Sequence, residues 1–135
     1  MTEVECKTEL ELPPIHVTMD EMHRLSALAN SSLALFPRAA HFLAREMDRA
    51  SVVSDDTELR SVVRMGCQVS YRDERTGDVR EVELVYPHEA DISQGRVSIL
   101  TPVGAALIGL SVGQAIEFPT PGHETRSLTV LGVSP

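Results

Sequence analysis

Residues 96–110, Arg-Val-Ser-Ile-Leu-Thr-Pro-Val-Gly-Ala-Ala-Leu-Ile-Gly-Leu, decide the fold of this 135-residue chain. From Arg96 to Leu100 polar and apolar side chains alternate, which is typical of a half-buried strand. Thr101 then offers a hydroxyl that can cap a helix, and Pro102 stands at the first helical position, where a missing N–H costs little. The sequence therefore predicts a strand that runs directly into a helix.

The predicted helix is short and has a single apolar face. Gly109 is placed to end it in the left-handed conformation, which glycine adopts without a steric penalty. The apolar residues recur at three- and four-residue steps, and they are Val103, Ala106, Leu107 and Leu110. The rest of the chain must supply a surface that covers this stripe.

Length and composition favour one ordinary domain, or a small domain with an appendage. The chain is 42% apolar and carries a net charge of −8. Because binding to a nucleic-acid backbone needs clustered positive charge, this composition argues against such a partner. No apolar run approaches the roughly 20 residues of a membrane span, and the first residues are acidic where an export signal has bases. We therefore expect a cytoplasmic protein.

Nothing in the sequence indicates a catalytic residue, a cofactor or a metal. Cys6 and Cys67 form no Cys-x-x-Cys pair, so we expect two unpaired reduced thiols. His88, Glu89 and Asp91 are close in sequence but match no known ligand spacing, which favours solvated or turn-capping roles. No Gly-x-Ser-x-Gly elbow or glycine-rich phosphate loop is present. The remaining histidines are scattered, at His16, His23, His41 and His123.

The first third of the chain predicts a tail and a helical hairpin. Residues 1–17 are acidic without sustained periodicity, and we expect a mobile tail there. Residues 18–50 form the hairpin, because Thr18 and Glu21 have the spacing of a capping box and Pro37 restarts a helix after a polar break. One arm presents Met19, Met22, Leu25, Leu28 and Ala29, and the other presents Phe36, Ala40, Leu43, Met47 and Ala50.

Residues 51–59 are polar and rich in turn formers, and we expect a linker there. Beyond it, in residues 60–135, the apolar period changes from helical to two, which predicts strands. The expected strands are 67–72, 79–86, 96–100, 114–118 and 127–133, with turns at 75–78 and 119–123. The fold class is α+β: a short antiparallel helical hairpin followed by about five antiparallel strands and one packed helix.

Several motifs in this second part resemble the C-terminal domain of the Gre-type transcript-cleavage factors, GreA and GreB. They are Gly66-Cys-Gln-Val-Ser-Tyr-Arg-Asp73, Tyr86-Pro-His-Glu-Ala-Asp91, the run from Ser98 to Leu110, Val112-Gly113 and Pro119-Thr-Pro-Gly122. With the short hairpin before it, the stretch from Thr18 to Val133 is similar to a small bacterial subgroup of that family, the regulators of nucleoside diphosphate kinase. The resemblance implies an FKBP-like β-sheet domain.

The resemblance also implies a partner. In the cleavage factors this domain docks on a coiled coil of the largest subunit of bacterial RNA polymerase, at the rim of the secondary channel. The contact maps onto Leu100, Thr101 and Pro102 of this chain. The cleavage factors often have a polar or acidic residue at the position of Leu100 and a serine at that of Thr101.

The tip of the hairpin, residues 30–37, departs from the cleavage factors. Their activity depends on carboxylates at the tip of a long coiled coil, which help to hold a catalytic magnesium ion. The tip here contains no acid, and each arm of roughly 12–14 residues is only about 18–21 Å long. We therefore expect a non-catalytic regulator that competes with cleavage factors for RNA polymerase without stimulating cleavage.

Several further alternatives concern the hairpin tip and the function of the chain. The apolar tip residues Leu33, Leu35 and Phe36 either pack back as a helix staple, contact a partner, or mediate self-association. The chain is alternatively a regulator acting directly on nucleoside diphosphate kinase or its expression, or a generic interaction module. Prolyl isomerase activity, which an FKBP-like fold suggests, is disfavoured because the chain has no Trp and few aromatic residues to line a pocket.

Overall fold

The computed structural model describes residues 13–53, 61–119 and 125–134. Its helices are α1 (Met19–Ser31), α2 (Pro37–Arg49) and α3 (Pro102–Leu107). Its strands are β1 (His16–Val17), β2 (Ser51–Val52), β3 (Gln68–Asp73), β4 (Val79–Val85), β5 (Arg96–Ser98), β6 (Ala115–Pro119) and β7 (Thr125–Ser134). Two 3₁₀ turns, Pro87–Glu89 and Ile92–Gln94, connect β4 to β5. The predicted α+β class, with a helical hairpin, a five-stranded sheet and one packed helix, is confirmed.

The main sheet has the strand order β5-β4-β3-β7-β6. Three of its neighbouring pairs are antiparallel, but β5 runs parallel to β4, so the prediction of an all-antiparallel sheet is wrong. The two 3₁₀ turns lie between these strands and turn the chain back, so that β5 runs in the same direction as β4. Such a compact crossover is unusual, because parallel neighbours ordinarily need a connection of a dozen or more residues.

The strand-to-helix unit forms as the sequence predicts, although the strand ends at Ser98. The Thr101 hydroxyl caps α3 by accepting a hydrogen bond from the Gly104 amide at 3.0 Å, and Pro102 is the first helical residue. Gly109 adopts a φ of 81° just beyond the helix, in the left-handed region. The strand is shorter than predicted because the amide of Leu100 turns back to the Ser98 hydroxyl at 3.0 Å.

The hairpin also forms, and its capping box is confirmed. The Glu21 amide donates to the Thr18 hydroxyl at 3.1 Å, and the Thr18 amide donates to the Glu21 carboxylate at 3.1 Å. Met19 is 52% exposed, so its assignment to the buried face is wrong. Its side of the helix continues to the exposed His23 rather than to Leu25. The apolar residues of the hairpin that are 0% exposed are Leu25, Ala29, Ala40 and Leu43.

The segment before the hairpin belongs to the fold. Ile15 and Val17 are fully buried, and β1 pairs in parallel with β2. The amide of His16 donates to the Gly109 carbonyl at 3.1 Å. The prediction of a mobile tail is therefore wrong for residues 13–17, and the predicted linker begins with a strand instead; residues 1–12 and 54–60 lie outside the described residues.

Polar contacts complete the attachment of the hairpin to the sheet domain. The Arg64 guanidinium donates to the Glu21 carboxylate, with Nε and Oε2 3.1 Å apart. Glu46, only 2% exposed, accepts hydrogen bonds from Arg49 at 2.8 and 3.0 Å, and Arg49 also donates to the carbonyl of Pro13. A buried carboxylate is costly unless it is paired. The seam, which is the contact between the hairpin and the rest of the fold, therefore depends on these polar bonds as well as on apolar packing. Hairpin and sheet share one continuous core.

Candidate protein-docking groove

An open groove of about 390 Å³ lies between the start of α3 and one face of the main sheet. Tyr71, Phe118 and Leu128 form its floor and are each at most 6% exposed. Pro102 and Val103 are half-buried and form one wall, while Ile92 stands at the rim and is 81% exposed. The groove therefore combines a dry floor with apolar side chains that remain in contact with water.

The start of α3 is held rigidly against β5. The Thr101 hydroxyl donates to the Ser98 carbonyl at 2.8 Å in addition to accepting from the Gly104 amide. A Cβ on Gly104 would overlap the Ser98 carbonyl and come within 3.0 Å of Ile99 Cα, so only glycine allows the helix to approach the strand this closely. The wall formed by Pro102 is thus preorganised.

The three residues predicted to contact a partner have different environments. Leu100 is 5% exposed and packs in the core, so its side chain is not available at the surface. Thr101 lines the groove, but its hydroxyl is occupied by the helix cap. Pro102 lines the groove with a partly exposed ring. The groove surface at this position thus consists mainly of Pro102 and its neighbour Val103.

Charged groups also line the groove, and they are Asp73, Arg80 and Arg126. Asp73 and Arg126 form an ion pair, and Arg80 pairs in register with Tyr71 across β3 and β4. Burial raises the pKa of the Tyr71 hydroxyl, so this residue stays neutral in the groove floor. Within the described part of the chain Arg80 makes no ion pair. Its side chain is exposed.

The hairpin tip presents a second apolar surface. Leu33, Leu35 and Phe36 are 37%, 79% and 48% exposed. Because Leu35 stays in water, the helix-staple alternative is wrong for this residue. Each arm of the hairpin has 13 residues, about 20 Å of helix.

The other candidates from the sequence have structural roles where they are described. Glu89 accepts from the Tyr86 amide at 3.4 Å, and Asp91 accepts from the Ser93 amide at 3.1 Å, which confirms the turn-capping interpretation. The His88 ring stacks on Tyr86. No group of three potential metal ligands occurs in residues 13–53, 61–119 and 125–134.

The cysteines and the outlying histidine are only partly described. Cys67 is buried and unpaired, while Cys6 and His123 lie outside the described residues. Among the helices that the structure describes, none has the length and apolar character needed to cross a membrane.

Sequence reasoning missed most of the groove. Its floor follows from the period-two pattern of β3, which turns Tyr71 inward, but the pattern does not show that this position faces a cleft. Arg80 and Ile92 carry no sequence signal of their own. Their role follows from the strand pairing and from the 3₁₀ turn that places Ile92 at the rim.

Comparison with known proteins identifies the class of protein that this fold represents. A family model described as the C-terminal domain of the transcription elongation factors GreA/GreB matches residues 57–135, and one described as the Rnk N-terminus matches residues 13–53. The chain therefore belongs to the GreA/GreB transcription elongation factor family.

Individual relatives refine this assignment. The chain is 40% identical over 92 residues to the regulator of nucleoside diphosphate kinase of Escherichia coli K12, covering 68% of each protein. It is 40% identical over 74 residues to the transcription elongation factor GreA of Rhodospirillum rubrum, covering 55% of this chain but 47% of that factor. A solved structure described as a GreA/GreB elongation factor from Nitrosomonas europaea superposes with a TM-score of 0.69 at 34% identity, covering 91% of this chain and 99% of that one.

Proposed function

We propose that this chain is a non-catalytic transcription regulator that binds RNA polymerase at the rim of the secondary channel. In this proposal the FKBP-like domain, residues 60–135, docks on a coiled coil of the largest subunit and occupies the site that cleavage factors use. The single observation that carries the proposal is the groove, because Thr101 and Pro102, the positions that match the docking residues of the family, lie on its wall. Such a partner places the protein in the cytoplasm.

The hairpin, residues 18–50, has a separate role in this proposal. Its tip carries no carboxylate to hold a magnesium ion, and its arms are about 20 Å long. It therefore enters the channel mouth without stimulating cleavage, and the exposed Leu35 and Phe36 contact the polymerase there. Addition of the chain to arrested elongation complexes is expected to leave transcript cleavage at its basal rate; stimulated cleavage would contradict this part of the proposal.

Competition for core RNA polymerase tests the docking. The chain is immobilised, core polymerase is bound, and GreA is titrated as the competitor. Pro102→Arg places a long charged side chain in the groove wall and is expected to weaken binding at least about 10-fold, since it disrupts a buried apolar contact. Pro14→Arg, at an exposed proline outside the groove, is the matched control and is expected to bind normally. Undiminished binding of Pro102→Arg, or binding that GreA does not displace, would contradict the proposal.

A second candidate function is action on nucleoside diphosphate kinase through a protein contact. The name of the 40% identical relative from Escherichia coli favours it. A pull-down of the purified kinase by this chain, with no polymerase present, separates the two: a stable complex supports direct action, and its absence leaves any effect on the kinase to be indirect, through transcription.

A further inference from the structure

We propose that the groove recognises a polypeptide segment in which an apolar side chain is flanked by a carboxylate. The apolar side chain lies between Pro102 and Tyr71, and the carboxylate pairs with Arg80. The identification of the segment as part of RNA polymerase rests on the proposed function, but the chemistry of recognition does not.

The shape and lining of the groove favour an apolar side chain as its occupant. At about 390 Å³ it falls in the size range of sites that enclose a ligand. Its floor is aromatic and aliphatic, with Phe118 and Tyr71 4% and 6% exposed. Ile92 at the rim is 81% exposed, and covering it would remove apolar surface from water. A polar ligand would not gain the free energy of removing this apolar surface from water.

The charge on the rim selects the flanking group. Asp73 is already satisfied, because its carboxylate pairs with Arg126 and accepts from the Arg75 amide at 2.9 Å. Arg80 is exposed and has no ion pair among the described residues. The groove is thus a locally positive place on a chain whose net charge is −8. A guanidinium prefers a carboxylate or a phosphate, and the apolar floor favours the carboxylate of a protein segment.

The geometry brings the two subsites together. Arg80 on β4 and Tyr71 on β3 are direct cross-strand neighbours, so their side chains share one face of the sheet. Directly opposite partners have Cβ atoms about 5 Å apart. An apolar residue over Tyr71 therefore places an acidic neighbour within reach of Arg80, which makes a short sequence of the two residue types sufficient for recognition.

Titration of the ¹⁵N-labelled chain with two capped peptides, followed by NMR, tests this recognition. The peptides are acetyl-Glu-Leu-Leu-Glu-amide and its uncharged counterpart acetyl-Gln-Leu-Leu-Gln-amide. Both are expected to shift the amide signals of Tyr71, Val97 and Val103 in a saturable way. The acidic peptide is expected to bind about 2–5-fold more tightly, the effect of one solvent-exposed ion pair. Arg80→Gln is expected to remove this preference, whereas Arg45→Gln, at an exposed arginine on α2, is expected to preserve it.

Three results would overturn the inference. They are equal affinity for the two peptides, shifts that spare the groove residues, and inorganic phosphate shifting the Arg80 signal at the same concentration as the acidic peptide. Because the titration contains no polymerase, its failure leaves polymerase docking to be judged by competition with GreA. Conversely, a preserved peptide preference together with absent polymerase binding would refute the proposed function alone.

Discussion

Replacement of Gly109 by alanine tests how the N-terminal segment attaches to the sheet domain. Gly109 has a φ of 81°, and a Cβ built on it would lie 2.8 Å from the Cβ of Ile15. The change therefore imposes two separate costs: a left-handed backbone for a residue with a side chain, and a collision with a fully buried isoleucine. Since His16 donates to the carbonyl of Gly109, the backbone there has little freedom to move away.

The magnitude follows from the two costs. The left-handed conformation costs about 1–2 kcal/mol, and overpacking of a filled site costs about 1–3 kcal/mol. We expect the free energy of unfolding to fall by about 2–5 kcal/mol, which lowers the melting temperature by roughly 6–20 °C for a domain of this size. Urea denaturation followed by circular dichroism measures the free energy, and an unchanged denaturant dependence confirms that the two variants unfold through the same transition.

Gly77→Ala is the matched control for this experiment. Gly77 also has a φ of 81°, but no atom lies within 4 Å of the Cβ that an alanine would add. It therefore reports the backbone cost alone, about 1–2 kcal/mol. If Gly109→Ala costs no more than Gly77→Ala, Ile15 does not pack on Gly109 and the description of the N-terminal segment is refuted.

Three further predictions concern the seam, the tip and the sheet. Glu21→Ala removes the carboxylate that accepts from the Thr18 amide and from Arg64, while the residue-21 amide can still donate to the Thr18 hydroxyl. This loss is expected to lower the free energy of unfolding by about 2–4 kcal/mol in urea denaturation, and a loss below about 1 kcal/mol would contradict a stabilising role of this ion pair at the seam. Leu35→Asp is expected to change the free energy of unfolding by less than about 0.5 kcal/mol, because the side chain is 79% exposed. In the same variant, a smaller mass by light scattering than that of the parent chain would reveal self-association through the tip. Hydrogen bonds from Thr129 and Arg72 lower the pKa of Glu74. The ionised carboxylate therefore stabilises the fold above the ordinary glutamate pKa of 4.5, and this stabilisation is lost as the pH falls through the lowered pKa. The melting temperature of Glu74→Gln is expected to fall less steeply than that of the parent chain on acidification below pH 4.5, and parallel curves for the two chains would contradict this.

Local sequence signals predicted the elements well where a specific hydrogen bond accompanies them. The capping box at Thr18 and Glu21 and the cap and proline at Thr101 and Pro102 each fix a helix start, and both starts are confirmed. The left-handed conformation of Gly109 is also confirmed, and it was predictable because few residues other than glycine adopt it. These features depend only on residues a few positions apart.

Features that depend on distant partners were not predictable in this way. β1 has two residues, too few for a periodic signal, and its burial comes from β2 and Gly109 much further along the chain. The parallel pairing of β5 depends on two 3₁₀ turns that the sequence does not announce. The groove combines residues from five strands and a helix that are distant in sequence. Pro102 was predictable because it lies in a motif that carries the family resemblance, whereas Arg80 and Ile92 lie outside those motifs and were not predictable.

Site-specific photo-crosslinking from the groove tests the central claim most directly. Ile92 is replaced by p-benzoylphenylalanine, which its 81% exposure allows, and the chain is irradiated with core RNA polymerase. The control carries the same group at Leu131, which is 39% exposed and does not line the groove. Docking through the groove predicts a crosslink from position 92 to the coiled coil of the largest subunit that excess GreA abolishes, with none to that element from position 131. A crosslink from position 92 to another region of the polymerase, or one that GreA does not reduce, would contradict it.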